Sequence, residues 1–298
     1  MEQFAPALPP TERADAFDRY GPDIPCSPVI LSIPHAGRDY RPELTALARV
    51  RPPVLRRLED RLADLLAHPL IARGGSVLIA RAPRAMIDLN RHEREVDPAM
   101  VADLPRFQPL QSSAKLRGGL GLLPRRLQGA GDLWRAPIPW AEVERRIHLI
   151  HRSYHAALAG MMAAAHAAHG HAILIDLHSM PPLPLAADGD PAPDLVLGDR
   201  FGRSAAGRLV TLAADIAAGR GFASAQNHPY AGDHLLERHG RPDAGFHALQ
   251  IEIDRTLYLD AALEGPGPGL ARVQALVSAI TEALAREMPS GHYAMAAE

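Results

Sequence analysis

The chain has 298 residues, of which 47% are hydrophobic and 22% charged, the balance of an ordinary soluble globular protein with enough chain to bury a sizeable core. A formal charge of −2 and a pI near 6.7 argue against nucleic acid or another polyanion as partner. No apolar run reaches the roughly 18 residues that a membrane span needs. Cys26 is the only cysteine, so neither an intrachain disulfide nor a multi-thiolate zinc site can form, and a metal would have to take His, Asp or Glu. The amino terminus lacks the basic start and apolar core of a signal peptide, which makes the cytoplasm the expected compartment.

In chain order, residues 1–27 are proline-rich and poorly periodic and read as an arm along the surface. Pro28-Val29-Ile30-Leu31-Ser32-Ile33 reads as a first strand, with Pro34-His35-Ala36-Gly37 as the loop at its carboxyl end. Ligands of open α/β sheets bind at such ends; a lone loop histidine is more often simply solvated. From Pro53 to Ala72, Leu55, Leu58, Leu62, Leu65 and Leu66 recur at helical spacing, which puts Glu59, Asp60 and Asp64 on a helix. After a Gly74-Gly75 turn, residues 76–80 form a second strand, and Met86–Arg91 alternates apolar and polar residues up to an Asn90-Arg91 pair. A guanidinium donates bidentately, so that pair suits a carboxylate; a structural salt bridge in a surface turn is the plainer alternative.

Residues 100–140 are irregular and glycine-bearing, a loop long enough to suggest a role in function. Trp140 to about Ala168 reads as a long amphipathic helix with His148, His151 and His155 on one face. That spacing can bind metal, although partly buried structural imidazoles are the commoner case. Residues 172–177 are an Ile- and Leu-rich buried strand, followed by His178-Ser179-Met180. Asp176 and His178 alternate with Leu177 and point to one side, as a metal ligand and its partner or as a capping Asp beside a buried His. A polar loop at 187–194, a short strand at 195–198, a helix over 204–218 stopped by Gly219, and the polar loop Asn227–His234 follow. Residues 248–255 read as a buried strand with Gln250, Glu252 and Asp254 on one face, and 269–287 as the last helix before a loose tail at 289–298. Strands alternate with helices, with no repeat and no linker. This predicts one α/β domain over 1–298 with a mixed, mostly parallel sheet and helices on both faces.

The strand ends thus carry His35, Asn90-Arg91, Asp176 with His178, and Glu252. Two histidines and a carboxylate are the ligand set of hydrolytic zinc sites, and a further Glu would serve as general base. The blocks Ser32–Gly37, Asp88–Arg91, Ile175–Ser179, Asp194–Asp199, Asn227–Gly232 and Gln250–Arg255, in this order between about residues 29 and 260, resemble the N-formylglutamate amidohydrolase (deformylase) family. The resemblance implies a fold similar to the zinc-dependent carboxypeptidases and aspartoacylases, the zinc-exopeptidase or phosphorylase/hydrolase-like type. It implies hydrolysis of N-formyl-L-glutamate to formate and glutamate, a step of histidine degradation, with one zinc ion (Zn2+) per chain. Carried onto this sequence, it implies His35 and His178 as metal ligands and Glu252 as the base that activates water. Asn90 and Arg91 would hold the substrate carboxylate, with His228, Tyr230 and Arg255 as further substrate contacts and Asp176 behind His178.

One departure matters: carboxypeptidase-like enzymes place a Glu three residues after the first ligand His, and here that position is Arg38. Asp60 is taken as the third ligand because its Asp-x-x-x-Asp pattern resembles the family's acidic helix, with Glu59 and Asp39 as alternatives. The expected partner is a small N-acyl amino acid, with no nucleic acid and no membrane; the oligomeric state is left open. Rival readings are a hydrolase of another N-acyl amino acid or small peptide, and a non-catalytic carboxylate-binding protein.

Overall fold

The computed structural model describes residues 8–184 and 192–287; the expected loose tail and most of the polar loop at 187–194 lie outside the described residues. Its frame is an eight-stranded sheet of β1 (Glu12–Arg13), β2 (Phe17–Tyr20), β3 (Val29–Ile33), β4 (Ser76–Ala80), β5 (Ala172–Met180), β6 (Leu195–Gly198), β7 (Ser224–Gln226) and β8 (Phe246–Asp254). The spatial order is β1-β2-β4-β3-β5-β8-β6-β7. The central run β4-β3-β5-β8 is parallel throughout, whereas β2 and β6 join it antiparallel on either side. The sheet is therefore mixed and mostly parallel, as the alternation of strands and helices predicts.

Over residues 172–175, β5 is apolar on both faces because both faces are covered. One helix, α1, runs through Trp140–Arg146, a π-type turn Ile147–Arg152 and Ser153–His169. It packs Tyr154, Leu158, Met161 and Met162 in one core layer with Ile30, Leu78 and Leu174. The helices α2 (Gly207–Ala218), α3 (His234–His239) and α4 (Leu270–Ala285) complete the shell. Leu235 and Leu236 of α3 join the layer of α1, while α2 and α4 bury Leu209, Val273 and Leu276 with Leu31, Ile175 and Ile251 on the opposite face. Each fully buried aliphatic side chain is worth about 1.5–3 kcal/mol, so these two layers hold the parallel strands and fix where their carboxyl ends point. Among the described residues no helix is long and apolar enough to cross a membrane.

Three stretches differ from expectation, each for a physical reason. Within the expected arm, Phe17–Tyr20 pairs antiparallel with Ser76–Ala80 and buries Phe17 and Tyr20; its four residues are too few to show a period against the flanking prolines. The helix expected over Pro53–Ala72 is broken into Pro52–Arg56, a 3-10 turn Ala63–Ala67 and His68–Ala72. Leu62 takes a left-handed φ of 56° at the break, and the Asp60 N–H donates to the His35 carbonyl at 3.0 Å. The leucine spacing still marks buried positions, since Leu55, Leu58, Leu62, Leu65 and Leu66 are all in the core. Met86–Arg91 is a loop and not a strand. Its alternation reflects burial of Ile87 and Leu89 beside a loop whose Asp88 N–H donates to the Leu122 carbonyl at 2.7 Å.

Candidate active site

Because β3, β5 and β8 run parallel, their carboxyl ends deliver side chains to one place. Glu252 on β8 stands in register with His178 on β5, and Ser32 on β3 with Asp176; the chain then turns out of β3 to carry His35 over the same end. His178 Nε2 lies 2.9 Å from Asp176 Oδ2 and its Nδ1 2.8 Å from Asp60 Oδ2. His35 repeats the pattern, with Nε2 2.8 Å from Asp88 Oδ1 and Nδ1 3.4 Å from the same Asp60 oxygen. Each imidazole thus donates Nε2–H to a buried carboxylate and turns Nδ1 on Asp60. None of these five residues is more than 3% exposed.

Burial works against charge on His178, but the Asp176 carboxylate and hydrogen bonds to Asp176 and Asp60 overcome it and hold the pKa well above the usual imidazole value. Burial would raise Asp60, yet the hydrogen bond from His178 and the nearness of both imidazoles pull it below the usual carboxylate range. Asp88 is likewise held low against burial, by Arg84 and then His35, with Arg84 Nε donating to Asp88 Oδ2 at 2.8 Å. Positive charge is therefore favoured between His178 and Asp60. His35 Nδ1 has no hydrogen-bond partner, and the donor atoms of His35, Asp60 and His178 lie within 4.8 Å of one another. Two imidazoles and a carboxylate suit a divalent ion, and the carboxylates on both Nε2 atoms fix the tautomer that ligation by Nδ1 requires. Beside them, burial pushes the Glu252 carboxyl up to about 7, with the nearby His178 opposing. Gln250 Nε2 donates to Glu252 Oε1 at 3.1 Å.

The other candidates for the carboxylate are turned elsewhere. Glu59 pairs with Arg61 at 3.0 Å, and Asp39 with Arg41 and Arg81 at 3.7 and 3.6 Å. Arg38, standing three residues after His35, is held by Asp64 through two parallel contacts of 2.8 and 2.7 Å.

A cavity of about 280 Å³ opens over the cluster. Asn90 reaches it with Nδ2 3.3 Å from His178 Nε2, while its Oδ1 accepts from the Leu235 N–H at 2.8 Å. Arg91 lines the cavity although it is only 3% exposed; Nη1 pairs with Asp233 at 2.6 Å and Nε donates to the Leu120 carbonyl at 3.1 Å. Tyr230 and Arg255 also line it, the Arg255 Nη2 donating to the Ser179 carbonyl at 3.0 Å and its Nε left without a partner. His228 does not join them: it is exposed and outside the cavity lining, so of the two expected side chains of this loop only Tyr230 faces the cavity. Sequence reasoning missed Asp88, Arg84 and Lys115. The alternation that put Asn90 in view also put Asp88 on its face, Arg84 lies four residues before Asp88, and Lys115 is the sole lysine of an arginine-rich chain.

A second buried histidine cluster lies behind the Leu89–Arg91 segment. His151 Nε2–H donates to the Arg91 carbonyl at 2.8 Å and His155 Nε2–H to the Leu89 carbonyl at 3.0 Å. His155 Nδ1 meets His239 Nε2 at 3.0 Å, and the His234 ring stands 5.2 Å from that of His155. Burial is the leading cause that pushes His151 down to about 4, His234 and His239 to about 3, and His155 well below its ordinary value. His148, expected on the same face, is exposed instead; the π-type turn Ile147–Arg152 resets the helical register between it and its neighbours.

Comparison with known proteins gives a consistent picture. A family model described as N-formylglutamate amidohydrolase matches residues 27–259. An N-formylglutamate deformylase of Pseudomonas aeruginosa is 30% identical over 240 residues, covering 78% of this chain and 82% of that protein. One from Pseudomonas putida is 29% identical over 247 residues with the same coverage, 78% and 82%. The crystal structure of N-formylglutamate amidohydrolase from Ralstonia eutropha superposes with a TM-score of 0.83 at 33% identity, over 91% of this chain and 97% of that one. With the model covering most of the sequence and these relatives aligned across most of their own length, the chain belongs to the N-formylglutamate amidohydrolase family.

Proposed function

We propose that the chain is a zinc-dependent amidohydrolase that cleaves N-formyl-L-glutamate to formate and L-glutamate, as the names of its relatives suggest. The observation that carries the reading is the pair of imidazoles turned by Nδ1 onto Asp60, with Glu252 beside them in a cavity that also holds Asn90 and Arg91. His35, Asp60 and His178 would hold the ion, with Asp88 and Asp176 orienting the two rings. Bound there, zinc supplies Lewis-acid polarisation of the substrate carbonyl and acidifies water. Glu252, half-buried and poised near neutrality, takes the proton of the attacking water and returns it to the departing amino nitrogen. Arg91 and Asn90 engage the substrate carboxylate. Asp233, 45% exposed, loses little by leaving Arg91 for solvent when that carboxylate arrives. Tyr230, Arg255, Arg84 and Lys115 supply further polar contacts around a small dicarboxylate. One catalytic domain over residues 1–298, a cytoplasmic place and a step in histidine degradation follow the same family likeness.

The test is formate release from N-formyl-L-glutamate, beside release of acid from N-acetyl- and N-succinyl-L-glutamate, before and after chelation. The expected result is preference for the formyl substrate, loss of turnover on chelation and recovery with zinc. Full turnover by metal-free protein overturns the metal assignment; preference for another acyl group overturns the substrate.

A further inference from the structure

We infer that His151, His155 and His234 form a second metal site, suited to a late first-row divalent ion such as zinc or copper and separate from the His35–Asp60–His178 group. This goes beyond the proposed hydrolysis and does not rest on it. One ring nitrogen from each of the three lies within 4.8 Å of one from each of the others, and all three residues are buried. His151 and His155 donate Nε2–H to the Arg91 and Leu89 carbonyls. That fixes both tautomers and leaves each Nδ1 with its lone pair, the anchoring that metal-bound histidines show. His151 Nδ1 and both ring nitrogens of His234 are buried without any hydrogen-bond partner.

Buried polar atoms are almost always paired, and a histidine needed only for packing would not leave three ring nitrogens orphaned in one cluster. A shared cation takes up the lone pairs of His151 Nδ1 and of one His234 nitrogen, with His155 as the third donor. The donors are three neutral imidazoles with no carboxylate among them, which favours zinc, copper or nickel over calcium or magnesium. Metal–nitrogen bonds of about 2.0–2.1 Å set tetrahedral ligands about 3.3 Å apart, so the rings must draw in by about 1.5 Å at most. His234 has no hydrogen bond to break in doing so. The contact of His155 Nδ1 with His239 Nε2 at 3.0 Å must open. An ion here would stiffen the Leu89–Arg91 segment from behind, since the carbonyls on both sides of Asn90 hang on two of its ligands.

Zinc or cobalt titration of the metal-free full chain, followed by calorimetry and elemental analysis after desalting, tests this. The parent should take up two equivalents. His234→Gln should take up one, with the second weakened by more than the roughly 100-fold that loss of an outer partner gives. His234→Gln removes no hydrogen bond of the fold, and His151→Gln, which keeps an N–H for the Arg91 carbonyl, is an independent second variant. The paired variant His35→Asn with His178→Asn should keep one equivalent, with visible cobalt bands of a nitrogen-only site. A parent that binds one ion, lost in the paired variant and untouched by His234→Gln and His151→Gln, overturns the inference. Conversely, loss in His234→Gln with none in the paired variant leaves this site standing and removes the ion from the proposed hydrolytic centre.

Discussion

His178 and His155 are both buried imidazoles with both ring nitrogens engaged, one on each side of the Leu89–Arg91 segment, yet they are driven to opposite protonation states. His178 sits between the carboxylates of Asp176 and Asp60 and is held charged, whereas His155 sits between the Leu89 carbonyl and another imidazole and is held neutral. Burial opposes charge in both places; the neighbours decide the outcome. One sheet end thereby carries buried carboxylates that favour a cation between the rings, and the helix behind it carries neutral lone pairs. The contrast teaches that a histidine's role is read from what its second nitrogen touches.

The sharpest way to break the comparison is to remove the chemistry from one side only. Glu252→Gln should lower kcat by about 10²–10⁴ with metal content and folding almost unchanged, and Asp60→Asn should lower metal affinity; turnover measured beside metal content checks both. If Glu252→Gln sheds the ion while Asp60→Asn keeps it, the two carboxylates have exchanged roles. Stability should separate the clusters next. In metal-free protein, His178→Leu strands two buried carboxylates and should cost about 3–5 kcal/mol. His155→Leu strands chiefly one buried carbonyl and should cost about 1–3 kcal/mol. Denaturant unfolding ranks them, and an equal cost would mean that the carboxylates around His178 carry no more penalty than a carbonyl. On the substrate side, Arg91→Lys keeps the charge but not the planar fork. A charged hydrogen bond is worth about 1.5–3 kcal/mol, so kcat/KM should fall roughly 10- to 150-fold; an unchanged value would leave Arg91 to its contacts with Asp233 and Leu120.

The smallest effect tests the neutral class away from either cluster. Burial first, then Arg208 and His171, push His247 down to about 4. The unfolded chain, with a histidine near 6.5, binds that proton first. The stability His247 contributes is complete above about pH 6.5 and is lost as pH falls towards 4, at no more than about 1.4 kcal/mol per pH unit. His247→Asn should flatten the slope of unfolding free energy between pH 7 and 5, and an unaltered slope would show that His247 is already protonated when folded.

His35, His178 and Glu252 were legible in the sequence because buried parallel strands announce themselves as apolar runs, and the polar residues that interrupt or follow such runs stand at their ends. Asp60 was less so: its leucine spacing promised a continuous helix, whereas the helix breaks at Leu62 and the Asp60 N–H is held by the His35 carbonyl, which sets Asp60 apart from Glu59. Asp88 and Arg84 stayed hidden because a loop buried on both sides mimics strand alternation without saying what the polar positions face. His228 was misplaced for the converse reason: neighbours in a loop share a sequence block without sharing a direction. The strand Phe17–Tyr20 is defined by its partner Ser76–Ala80, a contact no local pattern encodes.

The Arg38–Asp64 pair constrains any attempt to transplant a carboxypeptidase-style ligand pattern onto this scaffold. Arg38→Glu alone would set two carboxylates against each other where a bidentate pair now stands, and it would leave Asp60 still hydrogen-bonded to His178. A workable graft has to change Arg38, Asp64 and Asp60 together, so the route between the two ligand arrangements passes through intermediates that have given up one arrangement before gaining the other.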